Sequence, residues 1–338
     1  MTLRLTPLQA GMIEAQKLDD ILARRQQIEV PLDPNRYTAL RRLATNPDHR
    51  LIVCFGGGSA IGLGANAALA KILEELDLKG HVSQVWGTSA GAIVGAGFAA
   101  GVEANEIRRR VGAAAGSFDI CWLRLVLSVL LRPFGYPLPE GLIKGRRILA
   151  LIDAGLPVKT FEECPIPFRC IAVTDDGQAR RIVLRQGPLP PAIYASMTLP
   201  GIFMPHGPLP GEDCSYYDGG IVEKTPLLSP ISEHLRSGDP RKLLLLTTHF
   251  RSHGQLGPAQ GFVHRFLQTV GALEDLAWPY QLAEARNYPN VVLVLLDPQI
   301  EVPNVLNLSL LQSHYLQARE AFSDTLQNAR LALSLGLK

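Results

Sequence analysis

The run Val85-Trp86-Gly87-Thr88-Ser89-Ala90-Gly91 constrains this chain more than any other. Before it, His81-Val82-Ser83-Gln84-Val85-Trp86 alternates as a short strand does. After it, residues 90–100 are small and apolar, which suits a buried, tightly packed helix. A strand that turns at once into a helix around G-x-S-x-G has little room. Glycines at 87 and 91 are needed because the serine backbone is strained and its neighbours crowd it. Such a turn lifts the Ser89 hydroxyl to the top of a sheet. It also sets the hydroxyl at a helix N-terminus, where free amides and the helix dipole favour developing negative charge. The pattern points to Ser89 as a nucleophile. Without that chemistry, the same residues make a glycine-cushioned helix start with serine as its cap.

Upstream, Leu51-Ile52-Val53-Cys54-Phe55 is a continuous apolar run, typical of a strand buried on both faces. A glycine loop follows (Gly56-Gly57-Gly58, then Gly62 and Gly64), leading into a helix expected over about 65–76. Strand, helix, strand, helix in that order predicts a mostly parallel sheet with helices on both sides. Further strands are expected at 168–173, 181–184, 243–247 and 291–296, and a long amphipathic closing helix at 310–335. Residues 1–48 read as a separate helical extension, because Leu8, Met12, Ala15, Leu18, Ile21 and Leu22 recur near helical period. Pro31 and Pro34 interrupt it, and 37–43 suggests a second short helix. The main domain then runs over 49–338. Inside it, residues 117–150 stand apart: 120–131 is very apolar, and Pro133, Gly135, Pro137 and Pro139 follow. This stretch reads as a cap over a pocket or as a buried helix with its loop.

With 338 residues, 47% hydrophobic and 19% charged, the chain fits one large α/β domain or two smaller ones. A net charge of +2 makes no electrostatic case for nucleic acid. Arginine clusters (Arg24-Arg25, Arg41-Arg42, Arg108 to Arg110, Arg146-Arg147, Arg180-Arg181) read as solvated surface, with anionic lipid head groups as the alternative. Five scattered cysteines without C-x-x-C spacing imply a reducing compartment, no disulfide framework and no zinc site. The first residues lack the apolar core of a secretory signal, and no run of about 18 apolar residues could span a bilayer. The expectation is a cytoplasmic protein, peripheral to membranes where it meets them. Nothing in the sequence sets an oligomeric state.

Three further segments belong with Ser89. Acyl transfer builds a negative oxygen, and consecutive backbone amides hold it where no side chain intervenes; Gly56, Gly57 and Gly58 supply that shape. A dinucleotide-binding reading fails there: Ile61 occupies the last position of G-x-G-x-x-G, and no acidic residue ends a strand about 20 residues on. The second segment is Asp218-Gly219-Gly220, closed by Pro226. It can hold a carboxylate in an open loop as a general base, although Asp-Gly-Gly alone is also a turn signal. The third, Ala195-Ser196-Met197-Thr198-Leu199-Pro200-Gly201-Ile202-Phe203-Met204-Pro205, reads in isolation as a helix end with a proline-punctuated loop.

Taken together and in order, these four blocks resemble the patatin-like phospholipase family from about Leu51 to Pro226. The resemblance implies a three-layer α/β/α fold, a lipid acyl-ester substrate such as a phospholipid, and work at a membrane or micelle surface. It also implies a Ser–Asp dyad that uses no histidine, metal or cofactor. Carried over by motif position, Ser89 is the nucleophile, Asp218 the base, and the Gly57 and Gly58 amides the oxyanion hole. Two positions depart from the pattern. No basic residue follows the triple glycine, where Ser59-Ala60-Ile61 stand, and Lys224 replaces the usual asparagine two residues before Pro226. Glu223 is the nearest carboxylate in sequence for Lys224. Three other readings stay open here: a Ser-Asp-His triad with His249 the best placed of His234, His249, His253 and His264; a regulatory protein that kept the fold; and acyl transfer to an alcohol other than water.

Overall fold

The computed structural model describes residues 31–113, 140–205, 207–209, 213–251, 262–300 and 310–327. The helix expected within 1–30, residues 117–139 of the expected cap 117–150 and the last turns of the closing helix at 328–335 lie outside them. After a 3₁₀ turn at Pro34–Tyr37 comes α1 (Thr38–Ala44). The chain continues through β1 (His49–Phe55), α2 (Ser59–Glu75), β2 (Val82–Thr88), α3 (Ala90–Ala99) and α4 (Ala104–Ala113). Then follow β3 (Gly141–Ile143), α5 (Arg146–Gly155), β4 (Phe168–Thr174), β5 (Arg181–Leu184), α6 (Leu189–Met197) and β6 (Gly201–Phe203). The remaining elements are β7 (Tyr216–Asp218), α7 (Gly220–Glu223), α8 (Leu228–Ser237), β8 (Lys242–Thr248), α9 (Phe262–Ala285), β9 (Val291–Leu296) and α10 (Leu311–Leu326).

Among the described residues, seven strands form one sheet in the order β5-β4-β2-β1-β8-β9, with β7 also on β4. Every pair along β4-β2-β1-β8-β9 is parallel, and β5 and β7 run antiparallel to β4. A short parallel pair, β3 with β6, stands apart. The period of two along β1 separates the core into two faces. Val53 and Phe55 join the cluster under α2, α3 and α10, whereas Ile52 and Cys54 join the one under α8 and α9. The fold is thus three layers, helices–sheet–helices, as the sequence implies.

Between β1 and its two neighbours the chain reverses its direction of travel across the sheet, to β2 on one side and later to β8 on the other. Ligand crevices of open α/β sheets form at the carboxyl ends of strands at such a switch point. Here those ends carry the glycine loop after β1 and Ser89 after β2.

One expected boundary was misplaced. Helix α2 begins at Ser59, six residues before the expected Ala65, and absorbs Gly62 and Gly64. These glycines serve contact rather than looping. A β-carbon at Gly64 would stand 2.6 Å from the Leu311 carbonyl, and one at Gly62 3.2 Å from the Ala90 β-carbon. Small residues there let α10 and α3 pack closely on α2.

Candidate active site

The register of β4 brings the two expected reacting groups together. Its residues 168–171 pair with β2, ending at Thr88 opposite Ile171. Residues 172–174 pair with β7, starting with Asp218 opposite Ala172. Because Ala172 and Val173 also pair with β5 on the far edge, β2 and β7 share one edge of β4 and meet head to head. Ser89, one residue past β2, therefore faces Asp218, the last residue of β7. The open loop expected around Asp218 is instead a three-residue strand, invisible in the sequence because its partner lies 42 or more positions away.

Ser89 has φ of 54° and ψ of −121°, in the left-handed half of backbone space that a serine adopts only under constraint. The constraint is close packing of α3. A β-carbon at Gly91 would collide with the Phe55 carbonyl, and one at Gly87 would stand 2.6 Å from the Ala92 α-carbon. The Ser89 amide donates to Ser196 Oγ at 3.2 Å, and that hydroxyl donates to the Ile171 carbonyl at 2.6 Å. The same carbonyl also excludes a side chain at Gly219. Ser196, quoted above only as part of a block, thus ties the elbow to the β2–β4–β7 junction.

The Ser89 hydroxyl donates to Asp218 Oδ2 at 2.7 Å, and the Gly220 amide donates to Oδ1 at 2.7 Å. Asp218 is 5% exposed. Burial pushes its carboxyl up to about 7, Glu274 adds to the rise, and the Ser89 hydroxyl, the Gly220 amide and Lys224 oppose it.

Two of the three loop glycines have hydrogen-bonded amides in this structure. The Gly56 amide donates to Thr248 Oγ1 at 2.8 Å, and its carbonyl accepts from Asn66 Nδ2 at 2.8 Å. Thr248 closes this brace by donating to Asn66 Oδ1 at 2.6 Å. The Gly57 amide donates to the Lys224 carbonyl at 2.8 Å. Gly58, at the start of α2, keeps its amide uncommitted among the described residues. Asn66 had a signal in the sequence as the one amide side chain in an apolar helix; Thr248 had none.

Lys224 pairs with Glu274 of α9, Nζ to Oε2 at 3.0 Å, and not with Glu223. Glu223 turns the other way and accepts from the Leu227 and Ser229 amides, the Ser229 hydroxyl and Arg181. His249 is no partner of Asp218. Its Nδ1 meets Thr225 Oγ1 at 2.8 Å, its ring stacks on Trp278 at 3.8 Å, and burial holds it well down, at about 3. His234 hydrogen-bonds the Arg241 carbonyl. His253 and the side chain of His264 lie outside the described residues.

Ser89 and Asp218 open into a cavity of about 250 Å³. Its walls are mainly apolar, with Ile93 of α3, Ile107 of α4, Ile148 and Ile152 of α5, and Met197 of α6. A strained hydroxyl bonded to a buried carboxylate, beside an apolar chamber, is equipped to attack a carbonyl whose substituent is a hydrocarbon chain.

A family model for patatin-like phospholipase matches residues 52–231, just over half of the chain. Uncharacterized NTE family proteins of Mycobacterium tuberculosis (strain ATCC 25618 / H37Rv) and Mycobacterium bovis are each 29% identical over 196 residues, or 57% of this chain and 49% of theirs. The chain spans about half the length of these curated relatives. Among solved structures, VipD from Legionella pneumophila is similar with a TM-score of 0.39 and 14% identity, over 82% of this chain and 67% of that one. Full-length ExoU of the Pseudomonas aeruginosa type III secretion system, solved with SpcU, has a TM-score of 0.35 and 15% identity, over 84% and 54%.

Proposed function

The chain belongs to the patatin-like phospholipase family, and on that footing we propose that it is a serine lipid acyl hydrolase of the phospholipase A or lysophospholipase type. The observation that carries this reading is the 2.7 Å hydrogen bond from Ser89 Oγ to Asp218 Oδ2 at an apolar cavity. Ser89 attacks the ester carbonyl while Asp218 takes its proton. A base titrating near 7 is matched to that task, since about half of it is ionised at neutral pH and it is still basic enough to accept a proton. The tetrahedral oxyanion rests on the Gly58 amide and on the Ala90 amide that opens α3, both at the cavity wall. Asp218 then delivers its proton to the departing alcohol. A water, deprotonated by the same carboxylate, releases the fatty acid from Ser89.

The phospholipid enters from a membrane or micelle surface with its acyl chain in the apolar chamber. A panel of phospholipids, lysophospholipids and neutral glycerides, read by mass spectrometry for released fatty acid, tests the proposal. Release from at least one lipid class by the wild-type protein and none by Ser89→Ala is the expected result. Equal release by Ser89→Ala, or none by either protein in folded form, contradicts it.

A further inference from the structure

One ion pair at the cavity is unexplained by the dyad alone. Lys224 and Glu274 both line the chamber, and only 9% and 14% of their side chains are exposed. A β-carbon at Gly220 would stand 3.0 Å from Asp218 Oδ1 and 3.2 Å from Glu274 Oε1, so little more than the place of one methyl group separates the two carboxylates. Two buried carboxylates this close do not both stay charged without a cation, and Lys224 is the cation beside them. Lys224 also touches the glycine loop. Its carbonyl holds the Gly57 amide, and its Cγ lies 3.5 Å from where a Gly57 β-carbon would be.

We propose that Lys224 and Glu274 are positioning residues for the Ser89–Asp218 dyad, an ion pair whose charge balance sets the pH at which the base becomes active. This inference rests on the hydrolase reading above. The surrounding charges leave that role to the pair. From the β2–α3 turn only the Ser89 hydroxyl faces Asp218. At the end of β8, His249 is held neutral by burial, and Arg251 is paired with Asp297 at 3.0 Å. Asp275 follows Glu274 on α9 and raises its carboxyl further. Arg110 of α4 is engaged by Glu106. Glu223 is taken up by Arg181.

The test is kcat/KM against pH, from about 4.5 to 9, with a soluble short-chain p-nitrophenyl ester. Lys224→Met should move the acid limb up by about one unit or more, the shift a neighbouring opposite charge commands. Glu274→Gln should move it down, because it removes a like charge and leaves the cation uncompensated. The double variant should return close to the wild-type limb, and Lys224→Arg should restore it. A merely structural pair would lower activity equally at every pH with the limb fixed, and that result overturns the proposal. Should Lys224→Met fail to fold, a limb unmoved in Glu274→Gln overturns it as well. Asp218→Asn in the same assay keeps the two levels apart. Turnover surviving there contradicts the dyad itself, whereas a dead Asp218→Asn with fixed limbs elsewhere contradicts only the role of the pair.

Discussion

Asp218 is maintained at the expense of the fold. Its carboxyl titrates near 4 in an unfolded chain and is pushed up to about 7 in the native state. The unfolded state gives up its proton first, so native stability falls as pH rises from about 4 to about 7, and the deficit is complete above that. Asparagine carries no such charge. Asp218→Asn should therefore gain stability over the wild type, by an amount on the order of 4 kcal/mol at pH 8 and close to nothing at pH 4. Urea midpoints measured at the two pH values check this, and a gap that does not widen with pH contradicts it. Ser89 carries a cost of another kind, a positive φ held by its surroundings. Ser89→Gly should be more stable than Ser89→Ala by about 1 kcal/mol, both being inactive, because only glycine adopts that backbone without strain. Equal melting temperatures for the two variants would show that the elbow stores no strain.

At the scale of elements, the site depends on how closely α3 and the glycine loop approach the strand ends. Gly91→Ala places a methyl group in the Phe55 carbonyl, and the loss should be about 3 kcal/mol or more, as for a severe overpacking. Asn66→Leu keeps the helix apolar but strips Gly56 and Thr248 of their shared partner. It should cut turnover at least tenfold in protein that still folds, and full activity there would deny the brace a role. Much at this scale was legible in the sequence. The strands at 168–173, 181–184, 243–247 and 291–296 stood out because runs rich in valine, isoleucine and leucine are a local signal that needs no tertiary information. Gly62 and Gly64 misled, since sequence shows that a glycine is present but not whether a turn or a neighbouring helix requires it. Strand β7 was too short to carry a period. The partner of Lys224 lies 50 residues away on α9, beyond any local signal.

For the whole molecule, the four motif blocks in order pointed to family and fold, because three of them sit at the carboxyl ends of β1, β2 and β7, and the fourth, 195–205, runs from the end of α6 through β6 and hydrogen-bonds to two of them. Only part of the chamber wall belongs to those blocks, Met197 of α6 among it; Ile93 of α3, Ile107 of α4 and Ile148 and Ile152 of α5 lie outside them. Ile148 of α5 is a half-buried wall residue, so Ile148→Trp should narrow the chamber without emptying the core. Esters of long fatty acids should lose kcat/KM by tenfold or more while short-chain esters stay within about threefold, in line with the energy of a few methylenes. Equal losses would remove that wall from the acyl path. Catalysis at this site turns on whether Asp218 activates Ser89. Labelling with a fluorophosphonate, read by peptide mass spectrometry over time, measures this directly. A single adduct on Ser89, formed about a hundredfold or more slower in folded Asp218→Asn, is the expected outcome. An adduct forming on Ser89 equally fast without the carboxylate, or no adduct on folded wild-type protein, would contradict it.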